Sequence, residues 1–234
     1  MAATVYLIPT VLAEGVTAPL PLYVVDAIKE CTVFFAENER TARRFFKSVW
    51  KEMVIDDYGW YNMKEVNAEV AAQFKKEVQE GKTIGIVSEA GCPGVADPGQ
   101  VLVGLAQELG VTVKPLVGPN SILLALMASG MNGQQFQFVG YLPIEAGERV
   151  KTIKSLESES RQKACTQIFI ETPYRNNQLL ETLTKTLQPQ TLICVGVDIT
   201  AATESIQTKT AQQWKSNMPQ LHKRPAIFLI YAGR

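Results

Sequence analysis

Between positions 88 and 97 the chain reads S-E-A-G-C-P-G-V-A-D, with Pro98 and Gly99 following, directly after the apolar run T-I-G-I-V. Glycines in such an arc let backbone N–H and C=O groups approach a ligand closely. Prolines stiffen it and reduce the entropy lost on binding. Its two carboxylates, Glu89 and Asp97, would repel a phosphate. They suit a ligand that carries hydroxyls, an ammonium or another cationic centre. Neither the dinucleotide pattern G-x-G-x-x-G nor a P-loop Gly-Lys-Ser/Thr is present. A second small-residue turn, V-G-P-N-S at 117–121, leaves the next strand-like run in the same way. Two such turns at neighbouring strand ends make a small-molecule site of a shape that fits a nucleoside-like cofactor. Asp97 has a local role open to it as well: with Pro98 at N1 and Gln100 at N3 it reads as the N-cap of the following helix.

Further residue types bear on chemistry. Glu37, Glu39 and Asp97 are the carboxylates that could serve as a general base; the two glutamates read equally well as surface residues. Arg40, Arg44, Lys47 and Lys51 recur at helical spacing, with Arg43 beside them, opposite Phe45, Phe46 and Val49. This basic face could contact nucleic-acid phosphates or be a solvated helix face. His222 is the single histidine and has no partner motif, so triad chemistry has no support. Four scattered cysteines have neither zinc nor disulfide spacing, and Cys31, Cys165 and Cys194 read as small buried apolar residues. No metal is expected.

The elements that must position these groups follow from pattern. The chain has 234 residues, 46 % of them apolar and 20 % charged, enough for one large or two small folded domains. Basic and acidic residues balance at 23 each, so bulk charge gives no nucleic-acid signal. No apolar run is long enough to span a bilayer, and the N-terminus lacks a basic n-region, so the expected location is cytoplasmic. Strand-like runs at 4–9, 32–37, 83–88 and 111–118 alternate with helix-like runs at 20–30, 40–50, 64–81, 100–110 and 120–130. That rhythm predicts βαβ units and a mostly parallel sheet. Beyond it lie strands at 136–143, 166–171, 191–199 and 226–233, a β-rich run at 204–210, a polar stretch read as a solvated helix with loops, and a helix at 175–187. More strands and fewer crossovers predict a mixed sheet. The expected fold is thus α/β with two domains, 1–114 and 115–234.

In that order, V-S-E-A-G-C-P-G-V-A-D-P-G, V-G-P-N-S, F-Q-F-V-G-Y-L-P and I-F-I-E-T-P-Y-R resemble the tetrapyrrole methylase superfamily of S-adenosylmethionine-dependent methyltransferases. Within it they are most similar to the ribosomal RNA small subunit methyltransferase I branch, which methylates a ribose 2′-hydroxyl of a cytidine. The resemblance runs over about residues 4–200. It implies two α/β domains with S-adenosylmethionine in the cleft between them, and a homodimer. The loop residues Ser88, Glu89, Ala90, Gly91, Pro93, Val95, Ala96 and Asp97 would hold the cofactor, as would Gly118 and Ser121 of the second turn. Tyr141, Leu142, Glu171 and Pro173, Pro9 at the end of the first strand, and Pro225 with Ala226 would complete the site. Arg40, Arg44 and Lys47 would face an RNA substrate. The chain departs from the pattern at P-T-V-L-A-E-G in place of P-T-P-I-G-N-L, at Glu89 and Cys92 in the loop, at E-N-E-R-T, and at D-I-T-A-A-T-E. These departures lie on the acceptor side more than on the cofactor side. The alternatives are therefore a tetrapyrrole ring carbon or a protein side chain as acceptor, or a relative that binds cofactor or RNA without turnover.

Overall fold

The computed structural model describes residues 3–233. The chain divides into two compact units, Met1–Asn120 and Ser121–Arg234. The first division falls after, rather than before, the turn at 117–120, because that turn is fastened to the first sheet.

In the first unit β1 (Thr4–Ile8), β2 (Val33–Ala36), β3 (Gly59–Asn62), β4 (Thr83–Val87) and β5 (Thr112–Pro115) form one sheet in the order β3-β2-β4-β1-β5. Every pairing in it is parallel. The crossovers carry α1 (Tyr23–Glu30), α2 (Glu39–Val49), α3 (Ala68–Gln79) and α4 (Gly99–Glu108). Adjacent strand residues point to opposite faces, and Phe34 and Phe35 show the result. Phe34 packs with Val24 and Ile28 of α1 and Phe45 and Phe46 of α2. Phe35 packs with Phe74 of α3 and Leu102 and Ala106 of α4. β4 lies at the centre of the sheet, as its unbroken apolar run predicts.

β3 is absent from the sequence reading. At four residues it is too short to show a period, and it is seen only through its neighbours: Trp60 lies 4.9 Å from Phe34 on one face, and Tyr61 4.9 Å from Phe35 on the other.

The second unit holds β6 (Phe136–Tyr141), β7 (Thr166–Ile170), β8 (Leu192–Val197), β9 (Ser205–Thr210) and β10 (Ala226–Tyr231), in the order β6-β7-β10-β8-β9. Only β6 and β7 run parallel, so this sheet is mixed, as expected. Helices α6 (Ala146–Lys163), α7 (Asn176–Thr186) and α8 (Ala211–Ser216) cover one face, burying Leu156, Leu183 and Trp214 against Phe169, Phe228 and Ile230. α5 (Ser121–Ser129) packs by β8, β9 and β10.

The polar stretch after β6 is one continuous helix, not a solvated helix with loops. Arg149, Ile153, Leu156, Glu157 and Ser160 repeat at helical spacing and are buried, and the polar members of that stripe hid it. Glu157 is held by the Gln188 N–H at 2.8 Å and by the Thr191 hydroxyl.

α8 is also new. Thr210 and Gln213 close a capping box at its start. Thr210→Ala is expected to cost about 1 kcal/mol in urea unfolding of the whole chain. An unchanged midpoint would mean that the cap contributes nothing.

Candidate functional site

Because the first sheet is wholly parallel, the carboxyl ends of its strands lie along one edge. The chain leaves β1 toward β2 through α1 on one face, and leaves β4 toward β5 through α4 on the other. β1 and β4 are neighbours, so the loops that follow them part in opposite directions. Such a switch point is where open α/β sheets bind ligands.

The loop after β4 is fastened to its surroundings on both sides. Thr10, just past β1, donates its N–H to the Gly91 carbonyl at 2.9 Å. The Cys92 thiol donates to the carbonyls of Gly118 and Pro119, at 3.6 and 3.5 Å. Gly91 has φ +76°, and a Cβ there would lie 3.1 Å from the Pro119 carbonyl oxygen. Gly118 lies flat on Pro9: a Cβ would meet the proline Cβ at 2.1 Å. Loop and turn are therefore one packed body, with Glu89, Ala90, Val95 and Ala96 at or near its surface.

Asp97 is the internal brace of this body. Its carboxylate accepts the Gly94 N–H at 3.0 Å and the Gly99 N–H at 2.7 Å. The Gln100 N–H bonds to it as well. The helix begins at Gly99 with Pro98 in the cap position, so the expected Asp97 N-cap with Pro98 at N1 is displaced by one residue, and no capping box forms. The capping role is real, but the same carboxylate also closes the loop on itself. Burial raises the Asp97 pKa, and the three backbone N–H bonds oppose the rise.

Glu37, at the end of β2, accepts the Glu89 N–H at 2.8 Å through Oε2. Burial raises its pKa, the N–H bond works against this, and the charges of Asp97 and Glu89 add to it. The sign follows by linkage. A carboxyl with a raised folded pKa contributes most stability below its ordinary value of 4.5 and loses it as pH rises through the folded value. The stability of the native protein relative to Glu37→Gln is therefore expected to fall between acid and neutral pH in paired urea titrations; a difference that does not change with pH would contradict this.

The other candidates are placed differently. Glu39 is engaged with Arg43 at 2.8 Å. The basic face of α2 exists, with Ala42, Phe45 and Phe46 buried opposite it, and two of its cations, Arg43 and Arg44, are ion-paired. Arg44 pairs with Glu14 at 3.0 Å. Lys47 donates to the Met53 carbonyl at 2.9 Å and to that of Lys51. Arg43 also lies over Trp60, 4.9 Å from the ring centre. Arg40 is exposed and has no ion pair among the described residues. A cavity of about 300 Å³ opens between the segment after β1, this helix and Ser88–Ala90; Thr10, Glu14, Thr41, Arg44 and Phe45 line it.

In the second unit the ends of β6, β7 and β8 and the start of β10 share one edge. This brings together Tyr141, Glu171, Pro173, Pro225 and Ala226. Tyr141 is exposed, whereas the Leu142 side chain is in the core and leaves only backbone to offer. Glu171 is buried and its Oε1 is held by the Thr172 N–H at 2.7 Å and the Arg175 guanidinium at 2.6 Å. Ser121 opens α5.

Three residues escaped the sequence reading although they hold this edge. Arg224 bonds Asp198 Oδ2 through Nη2 at 2.7 Å and through Nε at 2.9 Å. The Asp198 N–H reaches the Pro225 carbonyl at 3.0 Å. Asn176 donates to the Arg224 carbonyl at 2.7 Å. They lie far apart in sequence, and no local spacing marks them.

Among the described residues no group of three or more His, Cys, Asp or Glu could hold a metal ion, and no helix is long and apolar enough to cross a membrane. Cys31, Cys165 and Cys194 are buried free thiols. His222 is exposed and meets the Tyr174 ring edge-on at 5.9 Å.

Comparison with known proteins converges on one family. A protein of Mesorhizobium japonicum named ribosomal RNA small subunit methyltransferase I is 29 % identical over 205 residues, covering 88 % of this chain and 66 % of its own. One of the same name from Micromonospora olivasterospora is 32 % identical over 184 residues, covering 79 % and 56 %. The chain thus spans between about half and two thirds of the length of these relatives. The crystal structure of a uroporphyrin-III C-methyl transferase from Thermus thermophilus, complexed with S-adenyl homocysteine, aligns over 97 % of both chains with a TM-score of 0.57 at 16 % identity, a likeness of fold. The profile of the family described as tetrapyrrole (corrin/porphyrin) methylases matches residues 15–214. With two α/β units and this match over most of its length, the chain belongs to the tetrapyrrole methylase family.

Proposed function

We propose that this chain is an S-adenosylmethionine-dependent methyltransferase acting on a ribose 2′-hydroxyl of small-subunit ribosomal RNA. The observation that carries the reading is the likeness to relatives named ribosomal RNA small subunit methyltransferase I over most of this chain. The cofactor is supported by the family match and by the S-adenyl homocysteine in a structure of the same fold. The residues present fit it. It has hydroxyls and a cationic sulfur and no phosphate, which suits Glu37, Glu89 and Asp97. Gly118, pressed on Pro9, and Gly91 in its left-handed conformation keep side chains out of the way and offer backbone. Ser88–Asp97, Gly118 and Pro9 of the first unit would hold it.

When bound, S-adenosylmethionine supplies a methyl group already activated on a sulfonium. What remains for the protein is alignment and removal of one proton. Of the three carboxylates expected as bases, Asp97 is occupied by backbone N–H groups and Glu39 by Arg43. Glu37 is bonded through Oε2 alone among the described residues, and burial raises its pKa in the direction that favours accepting a proton. A homodimer in the cytoplasm belongs to the same proposal, and sedimentation velocity tests the first of these.

The test is transfer of a tritiated methyl group to small-subunit RNA from a strain that lacks the gene, with calorimetry of S-adenosylhomocysteine binding alongside. Label on the RNA ribose is expected. The fold likeness to a uroporphyrin methyltransferase favours a second reading, a tetrapyrrole acceptor, and label appearing only on a corrinoid precursor would establish it instead. A non-catalytic role would be excluded by methylation that disappears in Gly91→Arg.

A further inference from the structure

Resting on the RNA reading above, we infer that Arg44 is a phosphate subsite for the acceptor strand, and that Glu14 occupies it until the strand arrives. Among the described residues Arg44 is the only cation lining the cavity beside Ser88–Ala90, and the Glu14 carboxylate that takes its guanidinium lines the same cavity. The pair is 3.0 Å long with side chains 61 % and 82 % exposed. An ion pair this open to water is weak and is readily exchanged. Guanidinium binds phosphate in the same two-pronged way that it binds carboxylate.

Position decides which anion fits. Glu89, at the same cavity, would repel a phosphate brought to Ser88–Ala90, so the anionic part of an entering nucleotide is directed to Arg44. A cavity of about 300 Å³ admits one unstacked nucleotide, and Phe45 offers apolar surface to it. Of the rest of the basic face, Arg43 is paired with Glu39 and Lys47 is turned onto the Met53 carbonyl. Arg40 lies one helical turn from Arg44 and is the cation that extends the track. Entry of the strand exchanges a carboxylate for a phosphate on one guanidinium, so Glu14 lowers affinity for strands that place a phosphate there.

The test uses the whole chain and a short fluorescein-labelled single-stranded RNA, read by anisotropy over a salt series. Glu14→Gln is expected to tighten binding about two- to five-fold. Arg44→Gln is expected to weaken it and to make the slope of log affinity against log salt shallower by about 0.7, one phosphate contact. In the Arg44→Gln background Glu14→Gln is expected to tighten binding by clearly less, the remainder being relief of repulsion, which separates release of Arg44 from a general gain of positive charge. No tightening by Glu14→Gln, or tightening that persists undiminished without Arg44, overturns the inference. So does the same pattern obtained with uroporphyrin and not with RNA, which would assign Arg44 to a carboxylate. S-adenosylhomocysteine calorimetry on each variant keeps the two levels apart. If the native chain binds the cofactor product but no RNA, the acceptor reading fails and takes this inference with it. If RNA binds and Glu14→Gln is silent, only this inference fails.

Discussion

Gly118→Ala is expected to lose about 1–3 kcal/mol of stability and most of its activity. The added Cβ would lie 2.1 Å from Pro9 Cβ and 2.6 Å from its Cγ. Neither neighbour can yield cheaply, since the proline ring is rigid and ends β1, and Gly118 sits in the turn that ends the same sheet's β5. Leu116 anchors that turn through its N–H to the Leu7 carbonyl at 3.1 Å. Relief must come from the backbone, which would carry the Gly118 and Pro119 carbonyls away from the Cys92 thiol. A displacement of about 1 Å at a site that works by alignment costs about a hundredfold in rate. Urea unfolding and methyl-transfer kinetics check both parts. A variant of native stability and rate would show that the turn does not depend on the proline contact.

Asp97→Ala is expected to cost about 2 kcal/mol, because the donors of Gly94, Gly99 and Gln100 lose their acceptor together. The loop between Glu89 and Pro98 then has no brace at its far end. Binding of S-adenosylhomocysteine is expected to weaken with a larger unfavourable entropy, since ordering the loop now falls to the ligand. Asp97→Asn keeps one acceptor oxygen and should fall between. Calorimetry and urea unfolding of the pair distinguish this from a purely catalytic role: if Asp97→Ala folds and binds like the native chain and loses only rate, Asp97 is a base and not a brace.

Much of this site was legible locally. A stiff loop after an apolar strand, with acids and no phosphate motif, restricts the ligand from residue types and spacing alone, and the loop is where those residues imply. The capping role of Asp97 was readable too, though off by one position, because a carboxylate that also bonds Gly94 cannot sit where a simple N-cap would place it. The resemblance added the cofactor and the residues of the second unit. It could not say that Leu142 is core, that Glu171 is tied to Arg175, or that Glu39 is tied to Arg43. β3 stayed hidden because a four-residue edge strand is stabilised by rings on its neighbours. The buried stripe of α6 stayed hidden because Arg149, Glu157 and Ser160 are polar residues whose burial depends on partners elsewhere.

Periodicity, turn residues and motif order decided the α/β class, one parallel and one mixed sheet, and the loops at the strand ends, since all of these are short-range properties of the chain. Only the folded chain decided how its charges are spent. The basic face of α2 reads in sequence as a row of cations, and the fold pairs Arg44 with Glu14 and Arg43 with Glu39 and turns Lys47 onto two main-chain carbonyls. Three acids read as interchangeable candidate bases, and the fold gives each a different partner: the Glu89 N–H for Glu37, backbone N–H groups of its own loop for Asp97, and the Arg43 guanidinium for Glu39. Which charge meets which depends on distances between segments remote in sequence, and those distances exist only once the sheet has brought the ends of β1, β2, β4 and β5 to one edge.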